Sequence, residues 1–215
     1  MKIIPSILTN SQEDMSKKLD FLDNRVDWVQ IDVVDGKFAN NKTLPLDALE
    51  RHQGKAMLWE AHLMVKNPFS WINDCSLAMF HRVVAQVEAV DDQSSFIDRV
   101  ETGRMEAGLA LDLPTPVSQI NDELFLRLSV VMVMGEKAGF SGQKFSFSSL
   151  TKVDELLAVK KRLPANFLIA VDGGVSTDNI EFIKDRGVDI VYLSSSIWNT
   201  PDWGQSYRQL VSLAG

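Results

Sequence analysis

The sequence predicts an α/β fold, a (β/α)8 TIM barrel, that occupies residues 1–215 as a single domain. Eight short apolar runs alternate with amphipathic segments along the chain, as expected for strands that are buried on both faces and covered by helices. No linker, charge block or low-complexity segment divides these units. Asp32 and Asp172 each follow an apolar run and lead into glycine. In a closed parallel barrel such strand ends converge on one mouth, where barrel enzymes place their chemistry.

The strand predictions rest on runs of about four to eight residues that are mostly β-branched or aliphatic. The predicted strands are Lys2–Ile7, Trp28–Val34, Met57–Met64, Arg82–Val87, Glu106–Leu111, Val130–Met134, Phe167–Val171 and Ile190–Leu193. Eight such strands without a domain break favour a barrel over an open doubly wound sheet.

The segments between these strands have helical periodicity. The predicted helices are Gln12–Leu22, Pro68–Ala78, Ser94–Thr102, Val117–Leu126, Leu150–Arg162, Thr177–Asp185 and Gly204–Leu213, with a shorter and weaker one at Leu46–His52. Local signals agree with these bounds. Pro68 and Pro116 stand near predicted helix starts, and Gly187 follows a predicted helix end as a glycine C-cap.

The composition is that of an ordinary globular protein, with 45% hydrophobic and 24% charged residues. The net charge of −7 argues against a nucleic-acid partner, which would need a basic surface. The single cysteine, Cys75, excludes an intrachain disulfide and fits a reducing compartment. The segment Met1–Ser6 leads at once into an apolar run that is too short for a secretion signal. No run approaches the ~20 apolar residues of a membrane span. We therefore expect a cytoplasmic protein with no membrane partner.

Two carboxylates at one barrel mouth indicate proton-transfer chemistry. Asp32 and Asp172 would face a bound substrate from different strands. Such a pair can remove a proton from one face of a carbon and return one to the other face, which is what an epimerisation requires. A single aspartate at a strand end is more often a helix N-cap or a turn former. It is the joint occurrence of the two that favours catalysis.

A candidate metal site adds two residues to the aspartates. His62 ends the third strand, and Gln30 lies one layer beneath Asp32, because residues i and i+2 of a strand share a face. Oxygen and nitrogen donors of this kind suit zinc, manganese or ferrous iron, with Gln30 a weak, neutral member. Taken alone, His62 is more simply explained as a buried, hydrogen-bonded residue.

Glycine- and serine-rich segments follow the last three strands, as in the phosphate sites of many barrels. These segments are Gly139-Phe-Ser-Gly-Gln143, Asp172-Gly-Gly-Val175 and Leu193-Ser-Ser-Ser-Ile197. Glycine lets backbone amides approach a phosphate closely. The stretch Gly135–Phe145, with three glycines, could also serve as a lid that excludes water. A single segment of this kind is usually only a turn or a polar loop, but three of them at successive strand ends favour a phosphate site.

A series of short motifs runs through nearly the whole chain. They are Pro5-Ser-Ile-Leu8, Ile31-Asp-Val-Val-Asp-Gly36 with Phe38, His62-Leu-Met64, Val87-Glu-Ala89, Gly108-Leu-Ala with Pro114-Thr-Pro116, Gly139-Phe-Ser-Gly-Gln143 and Val171-Asp-Gly-Gly174. Their identity and order are similar to those of ribulose-phosphate 3-epimerases. The chain therefore resembles that family of (β/α)8 barrels, which interconvert D-ribulose 5-phosphate and D-xylulose 5-phosphate.

The resemblance implies roles for particular residues. Asp32 and Asp172 would be the catalytic acid/base pair at C3, through an enediolate, and also ligands of a divalent metal that polarises the C2 ketone, with His62 as the third ligand. Ser6 would contact the substrate near the reacting atoms, and Met64 and Met134 would pack over the enediolate. The implied substrate-binding positions are Ser6, His62, Met64, Met134, Gly139, Ser141, Gly142, Gly173, Gly174, Ser194 and Ser195. The phosphate would rest on amides around Gly142, Gly173, Gly174 and Ser195.

The chain departs from the family pattern at several of these positions. Gln30 and Gln86 stand where the family has histidines, and the first of those histidines is the fourth metal ligand. Val34, Ala138 and Ser194 replace the usual methionine, proline and glycine. Exchanging imidazole for a carboxamide should weaken or alter binding of zinc, manganese or iron.

Three functions stay open. The leading one is a ketose-phosphate 3-epimerase acting on a small phosphorylated ketose, either ribulose 5-phosphate or another. The second is a metal-poor, sugar-phosphate-binding barrel without catalysis, although two buried carboxylates would be costly in a binder. The third, a Schiff-base lyase or a decarboxylase, ranks last because Lys37, Lys66 and Lys137 fall beyond the strand ends in loops. A homo-oligomer is also compatible with the sequence.

Overall fold

The chain forms a closed barrel of eight parallel strands in the computed structural model, which describes residues 1–52 and 55–215. Each strand pairs with its neighbours in sequence, and the last strand closes the barrel by pairing with the first, with Lys2 opposite Ile190. The predicted (β/α)8 barrel is thus confirmed.

The strands lie close to their predicted positions. Their bounds are β1 Lys2–Ile7, β2 Trp28–Val34, β3 Leu58–Met64, β4 Arg82–Gln86, β5 Glu106–Leu111, β6 Val130–Met134, β7 Leu168–Asp172 and β8 Ile190–Leu193. The fourth strand ends one residue early because Val87 begins a short 3₁₀ helix, Val87–Ala89. The seventh strand ends on Asp172 itself, which brings this carboxylate into the strand register opposite Met134 and Tyr192.

The α-helices cover the outside of the barrel. They are α1 Gln12–Leu22, α2 Ile72–Leu77, α3 Gln93–Thr102, α4 Leu150–Arg162, α5 Ile180–Asp185, α6 Ser195–Trp198 and α7 Trp203–Ala214. The weaker helix prediction over Leu46–His52 is realised as a 3₁₀ helix. The short helix α6 after the eighth strand was not predicted.

Three helix predictions need correction. The segment Val117–Leu126 is not one helix but two 3₁₀ helices, Val117–Gln119 and Asp122–Leu126. They are separated because Ile120 and Asn121 adopt extended backbone conformations, and burial of the Ile120 side chain holds this break in place.

Two further helices begin later than predicted. The helix expected from Pro68 opens as a 3₁₀ turn, Pro68–Trp71, and becomes α-helical only at Ile72. The helix expected from Thr177 begins at Ile180, because the side chain of Asn179 accepts the backbone N–H of Ser176 at 2.9 Å and stabilises a turn there.

The predicted glycine C-cap is confirmed. Gly187 has φ +82° and its N–H donates to the carbonyl of Lys184 at 2.9 Å. This left-handed conformation is the one in which glycine ends a helix without strain.

The strands bury side chains on both faces, which is why their sequences are nearly continuous in apolar residues. Outward-facing side chains form one large core with the helices. Inward-facing side chains fill the barrel interior, where the apolar members include Ile4, Val84, Ala110, Met132 and Ala170. The interior is therefore a packed core that supports the mouth, not a channel.

A buried ion pair lies in the lower part of this interior. Arg82 donates from Nε to Glu60, which is fully buried, and its guanidinium lies 4.4 Å from the centre of the Trp28 ring. Tyr192, the penultimate residue of β8, is buried nearby, and burial together with the Glu60 carboxylate raises the pKa of its hydroxyl. This polar layer sits beneath the mouth and was not predicted.

No helix in the described residues is long and apolar enough to cross a membrane.

Candidate active site

A cavity opens at the carboxyl ends of the strands and brings together most of the predicted site. The predicted residues that line it are Ser6, Asp32, His62, Met64, Met134, Gly139, Ser141, Asp172, Gly173, Gly174, Ser194 and Ser195. The remaining two lie beside it. Gln30 is fully buried below the two aspartates, and Gly142 lines an adjoining groove that shares Gly174 and Ser195 with the cavity.

Strand register places the polar side chains of β2 and β3 next to each other. Asp32 is paired with His62, and Gln30 with Glu60. Because the side chains of a strand alternate between its faces, these four all point into the barrel, in two layers. Asp172 reaches the same point from β7, across the barrel.

Two groups bridge the carboxylates. His62 Nδ1 lies 3.1 Å from Asp32 Oδ1 and 3.3 Å from Asp172 Oδ2. The side-chain amide of Gln30 donates to the same two oxygens, at 3.0 Å and 2.9 Å. The side-chain amide of Gln86 lies 2.9 Å from the other ring nitrogen of His62 and orients the ring. Its NH₂ group donates to that nitrogen in a neutral imidazole, whereas an imidazolium donates to the Gln86 oxygen with the carboxamide turned over. Two carboxylates from opposite sides of the barrel are thus held against one histidine and one amide.

The electrostatics of the cluster follow from its burial. Burial, reinforced by the charge of Asp172, raises the pKa of Asp32 to about 6 against the opposing hydrogen bond from His62. Burial alone would lower the pKa of His62, but hydrogen bonds to Asp172 and Asp32 outweigh it and raise that pKa to about 10. One positive imidazolium between two carboxylates offsets part of their repulsion.

The residues present fit a divalent cation through three ligands. One donor atom each from Asp32, His62 and Asp172 lie within 4.8 Å of one another, and all three residues are buried. Gln30 presents its NH₂ group to the carboxylates, while its Oε1 is buried without a hydrogen-bond partner in the described part of the chain. Only with this carboxamide turned over would Gln30 offer an oxygen as a fourth ligand.

The glycine pair after β7 shapes the cavity wall. Gly173 has φ +97° and Gly174 has φ +68°, a region that other residues adopt only at a cost. A Cβ on Gly174 would lie 2.7 Å from the Cα of Phe145 and 2.8 Å from its nitrogen. Glycine is therefore required for this loop to lie against the segment 135–145.

Contacts to neighbouring loops hold the predicted lid over the cavity. The side-chain amide of Asn41 donates to the carbonyl of Gly139 at 2.8 Å, and the N–H of Gly139 lies 3.0 Å from the sulfur of Met64. Phe140, 44% exposed, stands at the rim. Whether this segment moves as a lid stays a prediction.

Glu136 is the main residue that the site prediction missed. It lines the cavity, is buried, and carries a carboxyl group whose pKa is raised to about 8 by burial and next by Asp172. A signal was present in the sequence, because Glu136 lies two residues beyond Met134, the last residue of a strand that leads to the mouth. Leu8, Val175 and Tyr192 also line the cavity.

The fold and site together define a class. A parallel barrel whose mouth holds two buried carboxylates and a histidine is a (β/α)8-barrel enzyme equipped for proton transfer. Comparison with known proteins identifies the family. A model described as the Ribulose-phosphate 3 epimerase family matches residues 2–198. The chain belongs to this family, and its identification as a ribulose-phosphate 3-epimerase-like isomerase is confirmed.

Individual relatives agree. A protein of Mycobacterium bovis named ribulose-phosphate 3-epimerase is 29% identical over 196 residues, covering 89% of this chain and 84% of its own. One of the same name from Bacillus subtilis is 28% identical, covering 94% of both chains. Among solved structures, KGPDC from Streptococcus mutans in complex with D-R5P superposes with a TM-score of 0.71 at 14% identity, covering 99% of this chain and 96% of that one. This last likeness supports the fold alone.

Proposed function

We propose that this chain catalyses epimerisation at C3 of a ketose phosphate, with D-ribulose 5-phosphate and D-xylulose 5-phosphate as the substrate pair. The observation that carries the proposal is the pair of buried carboxylates, Asp32 and Asp172, brought from opposite sides of the barrel to one histidine. The relatives from Mycobacterium bovis and Bacillus subtilis, both named ribulose-phosphate 3-epimerase, support the same reaction.

In the proposed cycle the two carboxylates have complementary roles. The ionised aspartate removes the proton from C3 on its own face, and the protonated aspartate on the other side returns a proton to the opposite face. One must be charged while the other is neutral, which agrees with the raised pKa of Asp32 beside Asp172. The next turnover in the reverse direction exchanges the two roles.

His62 and Gln30 hold this arrangement. The side-chain amide of Gln30 donates to one oxygen of each carboxylate, and His62 Nδ1 is hydrogen-bonded to Asp32 and lies 3.3 Å from Asp172, so the two residues fix the orientation of both carboxylates. A positive His62 beside the two aspartates would also lower the cost of the negative charge that develops as C3 loses its proton, and a preorganised charge of this kind is normally a large catalytic contribution.

Asp32, His62 and Asp172 would also hold a divalent metal, such as zinc, manganese or iron. A bound metal would supply Lewis-acid polarisation of the C2 ketone. Because Gln30 stands in place of an imidazole, the metal should bind less tightly than in a site with four strong ligands.

The phosphate end of the substrate lies at the glycine and serine loops. Gly173, Gly174, Ser194 and Ser195 line the cavity on the side of β7 and β8, and backbone amides are suited to phosphate oxygens. Among the described residues that line the cavity there is no lysine or arginine. Within the cavity, amides and hydroxyls therefore supply the attraction, while Lys144 lines the adjoining groove beside Gly142, Gly174 and Ser195.

The substrate prediction can be tested with matched sugars. The wild-type protein should interconvert ribulose 5-phosphate and xylulose 5-phosphate in a coupled assay. In calorimetry, unphosphorylated ribulose should bind far more weakly than ribulose 5-phosphate, because it lacks the phosphate that the amides hold. Equal affinities for ribulose and its 5-phosphate would rule out the phosphate site. Activity on another ketose phosphate, with none on this pair, would show that the proposed substrate is wrong while the proposed reaction type is right.

A second prediction concerns the metal. Gln30→His should raise zinc or manganese affinity by on the order of tenfold or more, since it adds a strong neutral donor beside three existing ligands. Equilibrium dialysis with elemental analysis measures this directly. Gln205→His, on the exposed face of α7, controls for nonspecific binding by an added imidazole.

The outcome distinguishes two views of Gln30. Higher epimerase activity in Gln30→His, alongside tighter metal binding, is expected if the native reaction is metal-assisted. Tighter metal binding without any epimerase activity would indicate that Gln30 belongs to an enzyme with a different reaction. Wild-type protein that already retains one equivalent of metal against a chelator would contradict the predicted weakening.

Cytoplasmic location and self-association stay predictions from sequence.

A further inference from the structure

Glu136 has no role in the proton transfer proposed above, yet its carboxyl group is buried at the active-site cavity. It follows β6, is 4% exposed, and lines the cavity with Asp172 and His62. A buried carboxyl group is costly unless it is hydrogen-bonded. Its partners therefore show what it does.

Those partners are backbone amides of the glycine loop. The N–H of Gln143 donates to Glu136 Oε2 at 2.9 Å. The neighbouring N–H of Gly142 also faces the carboxyl group and lowers its pKa, against the larger effect of burial. Gly142 belongs to the set that the family resemblance assigns to phosphate. In this chain a protein carboxyl group already lies against this amide and is hydrogen-bonded to the next one along the chain, that of Gln143.

The position of Glu136 is defined from a second side by β7. A Cβ on Gly173 would overlap the Cγ of Glu136 and approach its backbone nitrogen to 3.0 Å. Gly173, with its positive φ, thus makes room for the glutamate side chain. The carboxyl group lies between the glycine pair that follows β7 and the loop amides, where it can meet the phosphate end of a substrate.

We propose that Glu136 is a specificity-determining residue that engages the Gly142 and Gln143 amides in place of a substrate phosphate, leaving the phosphate to the amides of Gly174 and Ser195. The inference rests on the proposed function in assuming a phosphorylated substrate. It predicts that this barrel binds phosphate less tightly than the same barrel without the glutamate.

Two substitutions separate the parts of this effect. Glu136→Val removes the carboxyl group and frees both amides. Glu136→Gln keeps an acceptor oxygen for them and removes only the ionisable group. Inorganic phosphate, titrated by calorimetry, is the probe. Glu136→Val should bind it about tenfold more tightly than wild type, because amide bonds to a charged acceptor are strong, whereas Glu136→Gln should gain much less.

The kinetic constants should distinguish the variants in the same way. With ribulose 5-phosphate, Glu136→Val should lower KM while kcat stays within a few-fold of wild type, since the aspartates are untouched. Glu123→Gln removes an exposed carboxylate and should change neither phosphate affinity nor KM. Thermal unfolding of each variant checks that the barrel is intact.

Two results would overturn the inference, and a third would overturn only the proposed function. Unchanged or weaker phosphate binding by Glu136→Val would make the glutamate a structural tie for the loop. Equal gains in Glu136→Val and Glu136→Gln would assign the effect to charge and not to occupied amides. If phosphate binding follows the expected order but no ketose phosphate is turned over, the inference stands and the proposed epimerase function fails.

Discussion

Asp32→Asn and Asp172→Asn should each lower epimerase turnover by about 10²–10⁴-fold or more, because each carboxylate serves one face of C3. Both residues are also candidate metal ligands, which increases the expected loss. Asparagine is nearly isosteric with aspartate, so the hydrogen bonds around His62 and Gln30 can be partly kept. We therefore expect folded, inactive protein.

A coupled assay measures turnover, and circular dichroism with thermal unfolding checks the fold. Asp185→Asn, at the exposed end of α5, removes a carboxylate far from the cavity and should retain full activity. Proton exchange at C3 in deuterated water gives a finer test. A variant that keeps one base should exchange the proton of one epimer while failing to convert it into the other. Near wild-type activity in either aspartate variant would end the two-base assignment.

Arg82→Met should destabilise the protein by about 3–5 kcal/mol, because it leaves the Glu60 carboxylate buried without its partner. Glu60 is fully buried and Arg82 is 3% exposed. The substitution also removes the contact of the guanidinium with the Trp28 ring and its ion pair with Glu106 at 3.5 Å. Urea denaturation followed by tryptophan fluorescence gives the free energy of unfolding.

Two further variants make this prediction specific. Arg162→Met breaks an ion pair with Asp122 at the surface, where both side chains are more than half exposed, and should cost no more than about 1 kcal/mol. Arg82→Met combined with Glu60→Gln removes both charges and should recover much of the lost stability. An Arg82→Met loss no larger than that of Arg162→Met would show that the buried pair contributes little.

Much of the fold was predictable because it depends on local pattern. Apolar runs of strand length, separated by amphipathic segments, predict eight βα units, and five of the eight strands, for example Trp28–Val34, match their predicted bounds. The largest error, one helix over Val117–Leu126, arose because a tertiary preference for burying Ile120 overrides local periodicity.

The membership of the site was also largely predictable. Parallel strands of a barrel all end at one mouth, so residues at strand ends, such as Asp32, His62 and Asp172, must come close together whatever lies between them in sequence. Strand alternation similarly places Gln30 beneath Asp32. For these reasons the sequence alone determined the fold class, the mouth and the catalytic candidates.

Only the tertiary structure decided how these side chains meet. It directs the Gln30 amide nitrogen to both carboxylates, pairs Arg82 with Glu60 in the interior, and bonds Glu136 to the loop amide of Gln143. Such partners depend on strand register across the barrel, on rotamers set by packing, and on space left by residues such as Gly173. Periodicity determines the face a side chain occupies, but its partner there is chosen by atoms from distant parts of the chain.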